Sequence, residues 1–360
     1  MNILILGFSK IKYMPYLRFY LEHMDRSAHR LHLVYWNRDG REERLAGLEG
    51  VALHEFAACQ YDSMPTGRKL WNFLGYRKLV AKLIRRERFD RVVVLHSLPG
   101  ILTYDLLKRR YRGRYLFDYR DITCERVLLY RRMIHGLVRD SWATFVSSDG
   151  FRNLLPRTPN IYTSHNIAPG DLSRGETGEP VPSEKIRVCF WGFIRDEKVN
   201  LQMIDRFSRD DRFELHYYGR EQRVACELKA HAGKIGARNV FFHGEYAPEE
   251  KYGFVRSTDL IHNVFSGEKM LPAMSNKYYD GVVFGIPQLC MKGSVMAQRA
   301  EARGIGIGCD PWDENFTGVV YRYYTSLSRP DLEQACRREA ETVLKEYQAG
   351  GSIVARFAGR

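Results

Sequence analysis

The sequence lacks any uninterrupted apolar stretch near the ~20 residues that a helix needs to span a bilayer. Its opening run, MNILILGFSK, is too short for the core of a secretory signal and has no basic segment before it. We therefore expect a cytoplasmic protein whose contact with a membrane is peripheral.

Paired cysteines, repeats and a dinucleotide fingerprint are missing as well. The seven cysteines stand singly, without C-x-x-C spacing, which argues against a disulfide framework and against a zinc site. No repeated or Ser/Gly/Pro-rich tract indicates disorder. The first apolar run is not followed by G-x-G-x-x-G, so a dinucleotide-dependent oxidoreductase is disfavoured. We expect no bound cofactor.

What the sequence does have is a basic excess, with a formal net charge of +13. Nearly all of it lies between Arg68 and Arg139, along segments such as YRKLVAKLIRRERF that carry Leu and Ile on the other face. Such an asymmetry attracts polyanions. No recognised nucleic-acid-binding module is present, so helices within 68–139 favour an anionic membrane surface rather than specific nucleic acid. A solvated basic face without a partner is the alternative.

Strand and helix patterns alternate along the whole chain. Short apolar runs such as NILIL, RLHLVYWN and DRVVVLHS are separated by segments with helical spacing, and the alternation restarts at KIRVCFWGFI. Strands separated by helices form parallel sheets. Because 360 residues exceed what one core usually holds, we predict two doubly wound α/β domains.

The domain boundaries follow from one polar segment rich in Gly, Pro and Glu. We predict a first domain over 1–170, a linker over 171–185 and a second domain over 186–330. Residues 331–360 follow as an amphipathic helix, RPDLEQACRREAETVLKEYQ, that crosses between the domains, and a tail. Ligands of such folds bind at the carboxyl ends of the strands, so we expect the site in a cleft between the two sheets.

The loop FWGFIRDEKVN follows the first strand of the second predicted domain. Gly192 lets the backbone approach a phosphate, and Arg195 and Lys198 supply cationic donors beside the next helix. An ordinary surface turn is the alternative.

Two further loops end in glycine after strands. Gly219 ends one strand, and His243 and Gly244 end the next, before a helix predicted to begin at Pro248. We expect free backbone groups at His243 and Gly244 to hydrogen-bond the edge of a nucleotide base, and Gly219 to lie at the same donor site.

A fourth loop, SNKYYDGVVFGIPQLC, carries the most specific pattern, an N-K-aromatic-aromatic-acid stretch from Asn276 to Asp280 followed by G-x-P. It resembles the donor-site signature of GT-B glycosyltransferases similar to glycosyltransferase family 4, including enzymes that build bacterial surface polysaccharides. The resemblance implies two Rossmann-like domains facing a cleft. It also implies metal-independent, retaining transfer of a sugar from a nucleoside diphosphate.

The resemblance also implies roles for single residues of the donor site. Asp280 falls where the family has a glutamate that binds the ribose hydroxyls, with Asn276 and Lys277 as further donor contacts. Arg195 and Lys198 map onto the basic pair that holds the departing diphosphate. The alternative for Asp280 and Lys277 is that they cap and solvate a surface helix.

The sequence departs from the family at one acidic position. The family often has another acid eight residues before the ribose ligand, where this chain has Pro272. Glu268 in the preceding loop is a substitute for that donor contact, or is simply exposed. Asp310 and Asp313 have no supporting ligands around them, so a divalent metal site is not expected.

The first predicted domain offers residues for the acceptor side. Gly7 matches the family's opening loop, which implies a contact with the donor phosphate, and Ser9 and Lys10 are candidate acceptor contacts.

Three further residues end strands of the first predicted domain. Arg120 is a candidate acceptor ligand, and His96 and Asp121 are candidate catalytic residues. An internal Arg–Asp pair and a satisfied core histidine are the alternatives.

These residues predict a hexosyltransferase that uses a nucleoside diphosphate sugar, UDP rather than GDP, and a lipid-linked glycan acceptor at the cytoplasmic membrane face. A sugar-nucleotide epimerase of the same fold stays open, as does a non-catalytic basic protein that binds membranes or nucleic acid.

Overall fold

The computed structural model describes residues 1–43, 47–61, 64–167, 181–247 and 250–359. The chain forms two compact units. Unit 1 comprises Met1–Asn166 and Glu346–Arg360, and unit 2 comprises Ile167–Lys345. Residues 171–180 of the predicted linker and the predicted helix start at Pro248 lie outside the described residues.

Unit 1 is built on a seven-stranded parallel sheet in the order β3-β2-β1-β4-β5-β6-β7. Its core is apolar, because β4 alone contributes three consecutive valines that are fully buried. The chain leaves β1 towards one edge of the sheet and returns beyond β1 at β4, so the strand order reverses there. The strands are β1 Asn2–Leu6, β2 Arg30–Asn37, β3 Val51–Ala57, β4 Arg91–Leu95, β5 Tyr115–Tyr119, β6 Ala143–Val146 and β7 Ile161–Thr163.

Helices connect these strands, and the short 3₁₀ turns are Ile11–Tyr13 and Asp149–Leu154. The helical spacing of ILTYDLLKRRY predicts a single helix over 101–111, and this prediction is wrong in the start and the continuity of the helix. Two short helices occur instead, separated at Thr103, whose hydroxyl donates to the Pro99 carbonyl at 2.7 Å. The helices are α1 Leu17–Glu22, α2 Thr66–Arg86, α3 Ser97–Leu102, α4 Tyr104–Arg110 and α5 Leu128–Asp140.

Unit 2 is built on a six-stranded parallel sheet in the order β10-β9-β8-β11-β12-β13. Here the order reverses at β8, which has β9 on one side and β11 on the other. The strands are β8 Ile186–Trp191, β9 Phe213–Tyr218, β10 Val240–Gly244, β11 Leu260–Asn263, β12 Gln288–Met291 and β13 Gly306–Cys309. The helices are α6 Glu197–Phe207, α7 Arg223–Lys234, α8 Lys251–Val255, α9 Asn276–Phe284, α10 Val295–Arg303 and α11 Phe316–Thr325.

The last helix, α12 Arg329–Ala358, contributes residues to both units. Within unit 2 its fully buried Glu339 accepts a hydrogen bond from the Tyr278 hydroxyl of α9 at 2.9 Å. The same carboxylate pairs with Arg299 at 2.6 Å and with Arg303 at 3.0 Å. Removing one partner of such a buried group is strongly destabilising, so this cluster fixes α9 against α10 and α12.

Candidate functional site

Four loops of unit 2 lie at the carboxyl edge of its sheet. They follow β8, β9, β10 and β11, and parallel strands bring their carboxyl ends to one edge. The reversal of strand order between β8 and β11 opens a crevice at this edge, where open α/β sheets bind ligands.

The glycines of three of these loops are joined through their backbones. Gly192 donates to the Tyr218 carbonyl at 2.9 Å, and Gly219 donates to the Gly244 carbonyl at 2.7 Å. A Cβ at Gly219 would lie 1.7 Å from the Gly192 carbonyl oxygen, so only glycine fits there. Gly192 has a φ of +114° and open space beside it, which leaves its backbone accessible to a ligand.

Asp196 fixes the loop that carries the two predicted phosphate ligands. It adopts a left-handed φ of +64° just before α6, and its carboxylate accepts hydrogen bonds from the Ser266 backbone at 2.5 Å and hydroxyl at 2.6 Å. A non-glycine residue in this conformation is strained and persists only where its surroundings hold it. The anchor therefore sets the direction of Arg195 on one side and Lys198 on the other.

Arg195 and Lys198 are both exposed, and neither forms an ion pair within the part of the chain that the structure describes. Their nearest partners are aromatic rings. The Arg195 guanidinium lies 6.0 Å from the Phe265 ring centre, and the Lys198 ammonium lies 5.6 Å from that of Trp312. Two unpaired cations beside the amino terminus of an 11-residue helix can bind an anion.

Lys277 adds a third cationic group in the first turn of α9. Its side chain is only 7% exposed, and its nitrogen lies 4.0 Å and 4.6 Å from the ring centres of Phe190 and Phe265. Burial, reinforced by repulsion from Arg195, lowers the pKa of Lys277 to about 7. Near pH 7 the protonated and neutral forms of the Lys277 amine are therefore similar in population.

Asp280 lies one turn further along α9 and is about one-fifth exposed. One carboxylate oxygen accepts a hydrogen bond from the Trp191 indole at 2.7 Å, and the other pairs with the Lys251 ammonium at 2.8 Å. A carboxylate has about four lone-pair sites, so it retains capacity to accept from a diol. Sequence reasoning missed Trp191 and Lys251, because nothing in a strand-end tryptophan or a lysine 29 residues away signals this contact.

His243 belongs to an aromatic stack beside the glycine loops. Its ring lies 4.1 Å from Tyr218, which lies 4.1 Å from Phe254 on its other side, and all three rings are nearly parallel. Burial lowers the pKa of His243, which favours the neutral ring at pH 7. Flat neutral rings of this kind can stack on a nucleotide base.

Asn276 and Glu268 are both exposed, and each has a partner within the protein. Asn276 is the first residue of α9, which Ser275 caps by accepting from the Tyr278 amide at 3.3 Å. Glu268 lies in the loop after β11, directly beyond Gly267. Their predicted roles towards a donor stay predictions.

In unit 1 the opening loop is tightly packed. Gly7 is buried, and a Cβ there would lie 2.8 Å from the Met14 sulfur. Lys10 is also buried, pairs with Asp39, and donates to the Arg41 carbonyl at 2.9 Å. Its ammonium is thus engaged inside the unit, while Ser9 next to it is half-buried.

Arg120 is buried and has several partners inside unit 1. It pairs with the fully buried Asp118 at 2.7 Å, and it donates to the Asn166 amide oxygen and the Ser164 hydroxyl, each at 3.0 Å. Its guanidinium also lies 4.4 Å from the Tyr16 ring centre. The internal Arg–Asp pair left open by the sequence therefore exists, with Asp118 as the partner rather than Asp121.

His96 and Asp121 meet at the carboxyl ends of β4 and β5, where His96 Nε2 lies 3.3 Å from a carboxylate oxygen of Asp121. His96 Nδ1 accepts from the Leu98 amide at 3.4 Å, so a neutral ring carries its proton on Nε2 and directs it at Asp121. His96 has a φ of +82°, a strained conformation for a non-glycine residue. Strain at a strand end beside an exposed carboxylate is typical of a functional position.

The described residues contain no group of three or more His, Cys, Asp or Glu side chains arranged to hold a metal ion. None of the described helices has the length and apolarity needed to cross a bilayer.

Two doubly wound parallel sheets, in two units that share the carboxyl-terminal helix, define the GT-B fold, as predicted. No protein-family model and no curated protein matches the chain. Solved structures do match. Sucrose-phosphate synthase from Thermosynechococcus elongatus has a TM-score of 0.73 at 9% identity, covering 99% of this chain and 97% of that chain.

Two further GT-B structures cover nearly all of the chain. HepE from Anabaena, solved in complex with UDP and glucose, has a TM-score of 0.68 at 14% identity, with 99% of each chain covered. WaaG, a glycosyltransferase involved in lipopolysaccharide biosynthesis, has a TM-score of 0.66 at 14% identity, covering 98% of this chain and 99% of that chain. At these identities the likeness concerns the fold, and membership of glycosyltransferase family 4 stays a prediction.

Proposed function

We propose that the chain is a glycosyltransferase that moves a sugar from a nucleoside diphosphate, UDP rather than GDP, to a lipid-linked glycan. The observation that carries this proposal is the edge of the unit 2 sheet. There, Arg195 and Lys277 both lie beside the Phe265 ring, Lys198 follows Arg195 in the loop that Gly192 opens, and Asp280 lies one turn from Lys277. Cations suit a diphosphate, and a carboxylate suits the ribose diol.

The proposed reaction breaks the bond between the anomeric carbon and the diphosphate oxygen. The anomeric carbon bonds to an acceptor hydroxyl oxygen, whose proton is released, and the nucleoside diphosphate leaves with the bonding electrons. Negative charge therefore develops on the departing phosphate, beside Arg195 and Lys198. Fixed cations stabilise that charge without a metal ion, which is how we propose the enzyme works. We further propose retention of the anomeric configuration.

The choice of UDP rests on the solved relative and on the stack beside the glycines. HepE was solved in complex with UDP. His243, whose exposed ring stacks on Tyr218 next to Gly244, is a suitable platform for a base.

The proposed acceptor side is unit 1. His96 and Asp121 offer an imidazole and a carboxylate that can orient or deprotonate an acceptor hydroxyl. Gly7, Ser9, Lys10 and Arg120 are packed or paired inside the unit, so we propose that they shape this side rather than act in catalysis.

We also propose that unit 1 docks on the anionic cytoplasmic face of a membrane. Large apolar side chains are exposed among the basic residues of two helices that both pack against α3. We name them the apolar patch: Leu70, Trp71 and Leu74 of α2, and Val127, Leu128 and Leu129 at the start of α5. Trp71 is 74% exposed, which is unusual unless a partner covers it.

Release of UDP from a panel of UDP-sugars tests the proposed enzyme, with and without glycolipid acceptor. Arg195→Ala should lower turnover roughly 100-fold, the loss typical for one group that stabilises developing charge. Arg209→Ala, an exposed arginine beyond the other end of α6, is the matched control and should change turnover little. Equal turnover in both variants would remove Arg195 from the mechanism, and an epimerised sugar nucleotide as product would overturn transferase activity.

A further inference from the structure

Lys277 is a mostly buried lysine whose amine has no hydrogen-bond acceptor among the described residues. Within the described residues no side chain or carbonyl accepts a hydrogen bond from its nitrogen, although the residue is more than nine-tenths buried. Two ring faces, Phe190 of β8 and Phe265 after β11, hold it at the amino terminus of α9. A buried polar group of this kind is costly and requires an explanation.

The charged groups around Lys277 do not neutralise it. Arg195, from the loop after β8, repels its ammonium, and Asp280 on its own helix attracts it. Both oxygens of Asp280 are already engaged by Trp191 and Lys251.

The remaining titratable group facing Lys277 is His262 of β11, whose pKa burial lowers to about 3. Its Nδ1 accepts from the Val264 amide at 3.1 Å, so the ring is neutral and its Nε2 donates to Asn200. The groups around Lys277 therefore lack one negative charge to balance their positive charges.

We infer that Lys277 is a proton-linked ligand of the nucleotide diphosphate, so that its amine takes up one proton from solution when the diphosphate binds. This inference rests on the proposed function. In the empty site the amine shares its environment with Arg195, which disfavours a second positive charge. A bound diphosphate supplies the missing anion beside both groups, and the proton then enters from water.

The consequence is a donor affinity that falls as the pH rises. Because burial lowers the pKa of Lys277 to about 7, binding should take up about 0.5 proton at pH 7 and about 0.9 at pH 8. Affinity should fall about fivefold between these two values. The phosphate of UDP titrates near pH ~6, so uptake above pH 7 belongs to the protein.

Isothermal titration of the full chain with UDP, at pH 7 and pH 8 in buffers of different ionisation enthalpy, measures this uptake directly. The wild-type chain should show it, and Lys277→Met should bind UDP more weakly with none. Lys198→Met is the matched control, because it removes another lysine of the site and should weaken binding while retaining the uptake. Circular dichroism checks that each variant folds.

Three results would overturn the inference. UDP binding to the wild type without proton uptake, or unchanged uptake in Lys277→Met, would refute it while leaving the proposed function intact. If UDP does not bind, the proposed function is refuted and this inference with it. GDP, titrated in parallel, shows whether the site takes another nucleoside diphosphate instead.

Discussion

A lysine whose pKa falls on folding lowers the stability of the folded chain by a measurable amount. Burial lowers the pKa of Lys277 to about 7, whereas a lysine in an unfolded chain titrates near ~10.4. Between these values the unfolded state binds more protons, so this group makes the free energy of unfolding increase with pH. The site therefore holds a group that opposes folding most strongly at and below neutral pH.

We expect Lys277→Met to stabilise the chain in the absence of nucleotide. Methionine fills the slot between Phe190 and Phe265 without a charge, so the gain should be on the order of 3 kcal/mol at pH 7 and roughly half of that at pH 9. Urea unfolding of wild type and variant at both values measures the difference. A loss of stability, or a gain that does not change with pH, would contradict the burial of an unpaired amine.

At the scale of elements, α2 and α5 expose the apolar patch among basic side chains. Charge brings the protein to an anionic surface, and apolar side chains then enter the interface. Flotation with phosphatidylglycerol vesicles tests this, and Trp71→Ser should lower binding at least tenfold, since burying one large side chain contributes about 1.5–3 kcal/mol.

Ile235→Ser is the control for this change, because Ile235 is an exposed apolar residue of unit 2. It should leave vesicle binding unchanged. Equal flotation of the two variants would count against the apolar patch as the docking surface. So would wild-type binding to phosphatidylcholine vesicles that equals its binding to phosphatidylglycerol vesicles.

The helix α12 shows what local sequence cannot reveal. Its predicted pattern stops at Gln348 because two glycines follow, yet the helix continues through them to Ala358. Gly351 is required by packing, since a Cβ there would lie 2.1 Å from the His23 ring nitrogen. Close packing between residues more than 300 positions apart thus accounts for a glycine inside this helix, which local sequence would interpret as a helix end.

At the scale of the whole molecule, the alternation of apolar and helical segments was enough to predict two parallel sheets. Nearly every strand coincides with a short apolar run in the sequence, as the three consecutive valines of β4 illustrate. The edge strand β7 is only three residues long, and so short a segment has no periodicity of its own. The split at Thr103 was missed because a side-chain hydrogen bond, rather than a propensity, accompanies it.

The candidate site was only partly predictable for a similar reason. A glycine and basic residues directly after a strand predict an anion-binding site from neighbouring residues alone. Arg195 and Lys198 were predicted in this way. The partners of Asp280, Trp191 and Lys251, come from distant segments and could not be read from the sequence. The partner of Arg120 in unit 1 is close by, since Asp118 lies two residues before it, but the adjacent Asp121 gave the same signal.

A crystal structure of the chain with UDP is the strongest test that the edge of the unit 2 sheet binds a nucleoside diphosphate. We predict diphosphate oxygens within about 3.5 Å of the side-chain nitrogens of Arg195, Lys198 and Lys277, and a ribose hydroxyl hydrogen-bonded to Asp280. UDP bound away from this edge of the unit 2 sheet, or bound there with these side chains turned aside, would contradict it.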